Sequence, residues 1–203
     1  MSALARQSVR MFVSRLASRR PTPGGGSAAA LTSALGAALL VKVGRIILAR
    51  RPEGRGGAST GPSRRPTVGR SLTTAQRRAI GRLCTACDAH ARALVQLVDA
   101  DAEAYGQLFM VWGSRNRRAV QRAQRRALEV PLAMCERTVA VLRQAPALTK
   151  VAGRSLGSDV EAGVALLTAG FTAAAATVVI NLEGLGAPQA ALVRQRLRQL
   201  WLR

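Results

Sequence analysis

Residues Ala162 to Leu182 form 21 consecutive residues without a charge. Seven of them are alanine, two glycine and three threonine. No period-two alternation runs through the stretch, and alanine is the strongest helix former. A helix that is apolar all round must be surrounded by neighbours. The length would also cross a bilayer. However, three threonines, Asn181 and the many alanines keep its hydrophobicity modest, and acids, Glu161 and Glu183, stand at both ends instead of a one-sided basic flank. The run is therefore read as the central helix of a soluble bundle rather than a membrane span. Where one chain has too few helices to cover it, a second subunit supplies the rest.

The other segments fit that bundle. At 203 residues and 48% apolar, the chain has the size of one ordinary domain with a real core. Helices are expected over about Leu4–Ser18, Ala28–Ala49, Ala75–Trp112, Asn116–Arg143 with Pro131 inside, Asp159–Leu182 and Gln189–Leu202. Val9, Phe12, Val13 and Leu16 have the spacing of a core-facing helix. Met1 to Arg20 is therefore read as part of the domain, although its Arg-rich, acid-free composition is shared by organellar transit peptides. Thr74 is expected to cap the third helix and Pro146 to close the fourth. Gly153 to Ser158 reads as a turn, and Ser158 and Glu161 as a capping box. No strand pattern is found, so the fold expected over residues 1–203 is a single all-α bundle with long Ala-rich central helices, completed by dimerisation. One flexible insert, 50–70, holds three prolines, five glycines and six arginines.

Charge is the unusual property. Thirty-one basic residues face ten acidic ones, a formal net charge of +21, and Lys42 and Lys150 are the only lysines. Such a surface attracts nucleic acid, acidic membranes and anionic metabolites, although a genome that favours Arg over Lys codons would produce part of the same bias. Arg115, Arg118, Arg122, Arg125 and Arg126 line one helix. A row of this kind is ordinarily a solvated face; RNA or a polyanionic substrate tail is the alternative. Aromatics, at 3%, are too few for base stacking. Three cysteines make no disulfide framework and fit a reducing cytoplasm. Cys84-Thr85-Ala86-Cys87 with His90 lacks the second ligand pair a zinc site needs, so the thiols are read as buried or idle and no metal is expected.

Two places invite chemistry. Pro21-Thr22-Pro23-Gly24-Gly25-Gly26-Ser27 precedes the small-residue helix. Three glycines cost backbone entropy, which a chain accepts where its backbone turns sharply or approaches something closely. Ser27 would cap the helix, leaving free N–H groups at a positive helix end, suited to an anion or to tight helix packing. Further on, Leu94, Val98, Asp101, Tyr105, Leu108 and Trp112 are spaced 4, 3, 4, 3 and 4. They share one otherwise apolar face, which puts Asp101 in a buried stripe. Desolvation there would raise its pKa toward the range of a general acid/base, unless an arginine pairs with it structurally. Asp99 and Glu103 fall off the stripe and read as solvated. Pro131 would kink its helix and bare a carbonyl. Asp159 reads as an N-terminal helix charge and Asn181 as a C-terminal cap.

Taken in order, Pro21–Ser27, Asp99–Tyr105, Glu129-Val130-Pro131-Leu132, and Ser158-Asp159-Val160 with the helix ending Val179-Ile180-Asn181-Leu182 resemble the cyclodeaminase/cyclohydrolase domain of the formiminotransferase-cyclodeaminase family. Residues 50–70 depart from its Lys- and Tyr-containing segment. The resemblance implies an all-helical homodimer acting on tetrahydrofolate derivatives. Such a protein closes a formimino group to the methenyl bridge with loss of ammonia, or opens that bridge with water. It implies no cofactor beyond the folate and no metal. It places Asp101 at proton transfer with Tyr105 orienting it, and Gly24, Gly25, Gly26, Ser27, Glu129, Asp159 and Asn181 around the substrate. The alternative is a non-catalytic basic helical protein that binds RNA or another polyanion.

Overall fold

The computed structural model describes residues 3–50 and 72–202. The elements are α1 (Val9–Leu16), α2 (Gly25–Ala49), α3 (Thr74–Val111), α4 (Arg117–Leu142), α5 (Ala145–Ala152), α6 (Arg154–Asn181) and α7 (Ala187–Leu202), with 3-10 turns at Leu4–Arg6 and Leu182–Gly184. Among the described residues there is no strand, as expected for an all-α bundle. Apart from Arg50, the expected 50–70 insert lies outside the described residues.

Helices α2, α3, α4 and α6 form an up-down-up-down bundle. Arg45 of α2 pairs with Asp88 of α3, whereas Ser27 at the other end of α2 meets Asp101. These two helices are therefore antiparallel. In the same way Gly36 packs on Gly163 and Ser33 on Gly170, which makes α6 antiparallel to α2. At the waist, a Cβ on Gly36 would stand 2.7 Å from the Gly163 carbonyl oxygen and 3.0 Å from the Leu167 nitrogen. Only glycine lets these two backbones come so close. The same level holds a buried polar pair: the Thr138 and Ser33 hydroxyl oxygens are 2.9 Å apart, and Thr138 also reaches the Met134 carbonyl at 2.7 Å. Around it lie Leu40, Leu94, Met134, Leu167 and Val178, all fully buried.

Several boundaries differ from the sequence reading. The expected first helix is broken at Gln7, and Ser8 caps α1 by accepting from the Met11 N–H at 3.2 Å. Of its apolar residues only Phe12 is buried, while Val9, Val13 and Leu16 are exposed. The short α1 presents one anchor to the bundle rather than a full stripe. Thr73, not Thr74, caps α3, in a capping box with Gln76. Pro146 opens α5 instead of closing a segment, because a proline in the first turn loses no helix bond. Gly153, at φ 65°, makes the α5–α6 junction in a single residue. Helix α6 therefore starts at Arg154, and Ser158 and Glu161 lie inside it rather than forming a cap. The apolar stripe of α3 is buried at Leu94 and Val98 but runs into solvent at Tyr105 and Trp112.

Among the described residues, the uncharged helix is covered on one side only. Ala162, Ala165, Ala169, Ala173, Ala176 and Ile180 recur at helical spacing on the outer face of α6, and all are exposed. Both α2 and α6 are long and apolar enough to cross a membrane, by length and composition.

Candidate active site

Helix α2 begins earlier than expected, at Gly25, with Gly24 as an N-cap that makes no side-chain capping bond. Ser27 is therefore not the cap. It lies within the first turn, fully buried, with its hydroxyl 3.0 Å from the Val98 carbonyl and 2.9 Å from Asp101 Oδ2. The missing cap comes from another helix. Asp101 also accepts from the Ser27 backbone N–H, one of the donors that a helix start leaves unsatisfied. Gly26 makes this possible: a Cβ there would lie 2.0 Å from Asp101 Oδ1. The close approach signalled by the three glycines is thus to a carboxyl group from α3.

Asp101 is half-buried. Burial pushes its pKa above the ordinary carboxylate value, against the two Ser27 hydrogen bonds, which favour the ionised form. Among the described residues no arginine pairs with it. The expected partner Tyr105 is exposed and makes no hydrogen bond among the described residues; Ser27 holds the carboxyl instead. Asp99, read as solvated, is tied in: its carboxylate accepts from the Leu4 N–H and, at 3.3 Å, from the Ala5 N–H. That bond pins the N-terminal turn next to the site. Only the folded position of residues 4–5, 94 and more residues away in the chain, reveals it.

Pro131 and Asn181 turn out to be one device. Within a helix the Pro131 nitrogen would donate to the Ala127 carbonyl, but proline has no N–H. Asn181 Nδ2 donates to that carbonyl at 2.7 Å. The last residue of α6 thereby satisfies the acceptor that Pro131 leaves open in α4. Glu129, two residues before the proline, is exposed. Helix register brings the turn of residues 24–27, Asp101, Glu129–Pro131 and Asn181 to the same end of the bundle. Asp159 lies elsewhere: it pairs with Lys42 at 2.8 Å. Lys42 stands about 22 Å beyond Ser27 along α2 at 1.5 Å per residue. One chain therefore does not bring Asp159 to Asp101.

A groove of about 680 Å³ runs beside this end, between the last turns of α3 and the first turns of α4. Glu103, Gly106, Met110 and Arg122 line it. Arg115, Arg118, Arg122, Arg125 and Arg126 are all exposed, and none of them forms an ion pair among the described residues. The thiols are buried as expected. Burial pushes Cys87 up to about 11 and Cys135 up to about 12, far from a reactive thiolate. Among the described residues no group of three or more His, Cys, Asp and Glu is placed to hold a metal ion.

The arrangement defines a class: an antiparallel helical bundle that buries a carboxyl group against a glycine-built helix start. Comparison with known proteins gives the family. The formiminotransferase-cyclodeaminase family model matches residues 8–53 and 64–198, and the chain belongs to that family. It is 28% identical to a methenyltetrahydrofolate cyclohydrolase from Methylorubrum extorquens, over 96% of this chain and 87% of that protein. It is 32% identical to the formimidoyltransferase-cyclodeaminase of Sus scrofa, over 98% of this chain but only 35% of that longer protein. A solved formiminotetrahydrofolate cyclodeaminase from Thermotoga maritima shares the fold, with a TM-score of 0.77 at 21% identity, covering 96% of this chain and 86% of that one.

Proposed function

We infer that the protein is a folate one-carbon enzyme that acts on the C–N bond of methenyl- or formimino-tetrahydrofolate. The observation that carries this reading, given the family, is Asp101: a half-buried carboxyl with raised proton affinity, held by Ser27. Opening or closing the methenyl bridge passes through a tetrahedral carbon between two folate nitrogens, and a proton must be given to or taken from a reacting group. Asp101 is the group we assign to that transfer. Gly24 and Gly25 flank the flat pterin. Glu129 and Asn181 stand at the same end, with the Asn181 carbonyl oxygen left for substrate while its amide nitrogen serves Ala127. Tyr105 is free to close over the ligand rather than to orient Asp101. Ser27, being fully buried, supports the site without touching substrate. Arg122 in the groove suits the anionic tail of a folate. The reading calls for no cofactor beyond the folate.

The uncovered face of α6, where Ile180 is 66% exposed, supports a homodimer. In such a dimer a partner's Lys42–Asp159 end is free to approach the Asp101 end. Light scattering should give twice the chain mass, and Ala169→Glu should halve it. An absorbance assay with 5,10-methenyl- and 5-formimino-tetrahydrofolate separates hydrolysis from ammonia release through loss or gain of the methenyl chromophore. No change with either substrate would reject the enzyme reading. The exposed arginines of α4 support a second reading, non-catalytic polyanion binding. Salt-sensitive RNA binding without folate turnover would put it in place of the first.

A further inference from the structure

The Ser27 hydroxyl has one hydrogen and two acceptors within reach: the Val98 carbonyl at 3.0 Å and Asp101 Oδ2 at 2.9 Å. It can donate to only one of them at a time. If it donates to Oδ2, the carboxyl is served as an anion, and the Val98 carbonyl keeps its ordinary helix bond. If it donates to Val98, the short contact with Oδ2 is a hydrogen bond only when Asp101 is the donor, which requires a protonated carboxyl. Both states are therefore built into one geometry. Ser27 is fully buried, so its hydroxyl does not exchange these two partners for bulk water.

We propose that Ser27 is the positioning residue for Asp101, its single hydroxyl proton alternating between the Val98 carbonyl and Asp101 Oδ2 as the carboxyl takes up and releases its own proton. When Asp101 takes a proton on Oδ2, that O–H donates to Ser27 Oγ, and the serine O–H rotates onto Val98. When Asp101 gives its proton up, the serine O–H rotates back. The only covalent bond made or broken on the protein is the O–H of the carboxyl; its other proton partner is the substrate or a water molecule. Ser27 thus keeps the acid and the base forms of Asp101 fixed in place without carrying charge. Few other charges bear on the carboxyl. Helix α2 has no charged residue before Lys42. On α3, Asp99 is engaged by the N-terminal turn and Glu103 is exposed, as is Arg6 in that turn.

The proposal rests on Asp101 being the proton-transfer group, so the test measures its proton directly as well as through turnover. Ser27→Ala removes the hydroxyl but not the backbone N–H and adds no bulk. A hydrogen bond to a charged acceptor is worth more than one to a neutral group, so the anion loses more. Carbon-13 carboxyl NMR of labelled protein, with Asp101→Asn assigning the signal, should show Asp101 titrating about one pH unit higher in S27A. The limb of the pH–rate profile that reports Asp101 should move by the same amount. A shifted titration with an unmoved rate profile would remove Asp101 from the chemistry and leave Ser27's control of its proton standing. An unshifted titration overturns the proposal, whatever happens to turnover.

Discussion

The waist of the bundle and its open end use the same device for opposite purposes. At Gly36 the missing Cβ lets two backbones touch: the space it would fill is occupied by the Gly163 carbonyl and the Leu167 backbone. At Gly26 the missing Cβ makes room for the end of a side chain, the Asp101 carboxyl. Backbone cannot step aside, whereas a carboxyl can. The waist is therefore committed to packing, with its buried polar pair, Ser33 and Thr138, satisfied internally. The open end spends its close approach on a group that titrates. A glycine motif can thus mean stability or chemistry, depending on what stands where its side chain would be.

The most severe test of this contrast is Asp101→Asn. Loss of a proton-transfer group should lower turnover by at least about a hundredfold, while the helix content by circular dichroism stays that of the parent. Stability should move the other way. The folded pKa of Asp101 is raised, so the folded chain holds this proton more tightly than the unfolded one. The stability that this contributes is complete below the ordinary carboxylate range and is lost as pH rises to the folded value. Asparagine has nothing to lose there, so D101N should melt at or above the parent at neutral pH and lose that advantage in acid. A destabilised D101N at pH 7 would mean that the capping bonds of Asp101 to α2 outweigh the cost of burying its charge, and that its first role is structural.

Gly36→Ala and Gly26→Ala separate the two ends directly. At the waist the new methyl meets backbone, and overpacking of that kind costs about 1–3 kcal/mol. The melting temperature should fall by several degrees, with turnover per folded molecule kept. At the open end the methyl should push the Asp101 carboxyl away from Ser27 and cut turnover about tenfold or more, with a smaller change in melting temperature. If the two variants exchange these signatures, the division between packing glycine and site glycine fails.

The helices were legible in the sequence because their apolar periodicity is long and interrupted by Gly and Pro. The ordered motifs also gave the family. The partners were not legible. Ser27 follows three glycines and so looks like a cap, but Gly24 is already able to start the helix, which moves Ser27 into the turn and turns its hydroxyl toward α3. Asp101 stands out by its place in an apolar stripe. That the stripe would emerge into solvent by Tyr105 depends on where α4 begins, and that is set by packing between helices. Asp159 looked like a neighbour of the other motifs because family order says nothing about distance; the long α6 puts it about 33 Å from Asn181.

The smallest effect concerns the seam between α4 and α6, which belongs to the open end yet behaves like the waist. Asn181→Leu removes the donor from the Ala127 carbonyl, and an orphaned buried acceptor costs about 1–3 kcal/mol. Pro131→Ala supplies a new donor in the same place, the N–H that proline lacks. In the parent this substitution should change stability little, because Asn181 already serves the carbonyl. In the N181L background it should recover much of the loss. A double-mutant cycle by urea melts therefore predicts a coupling of about 1 kcal/mol between residues 50 positions apart in the chain. Strict additivity would mean that Asn181 is held there for its carbonyl oxygen alone, and would move it wholly from the packing side of the comparison to the site.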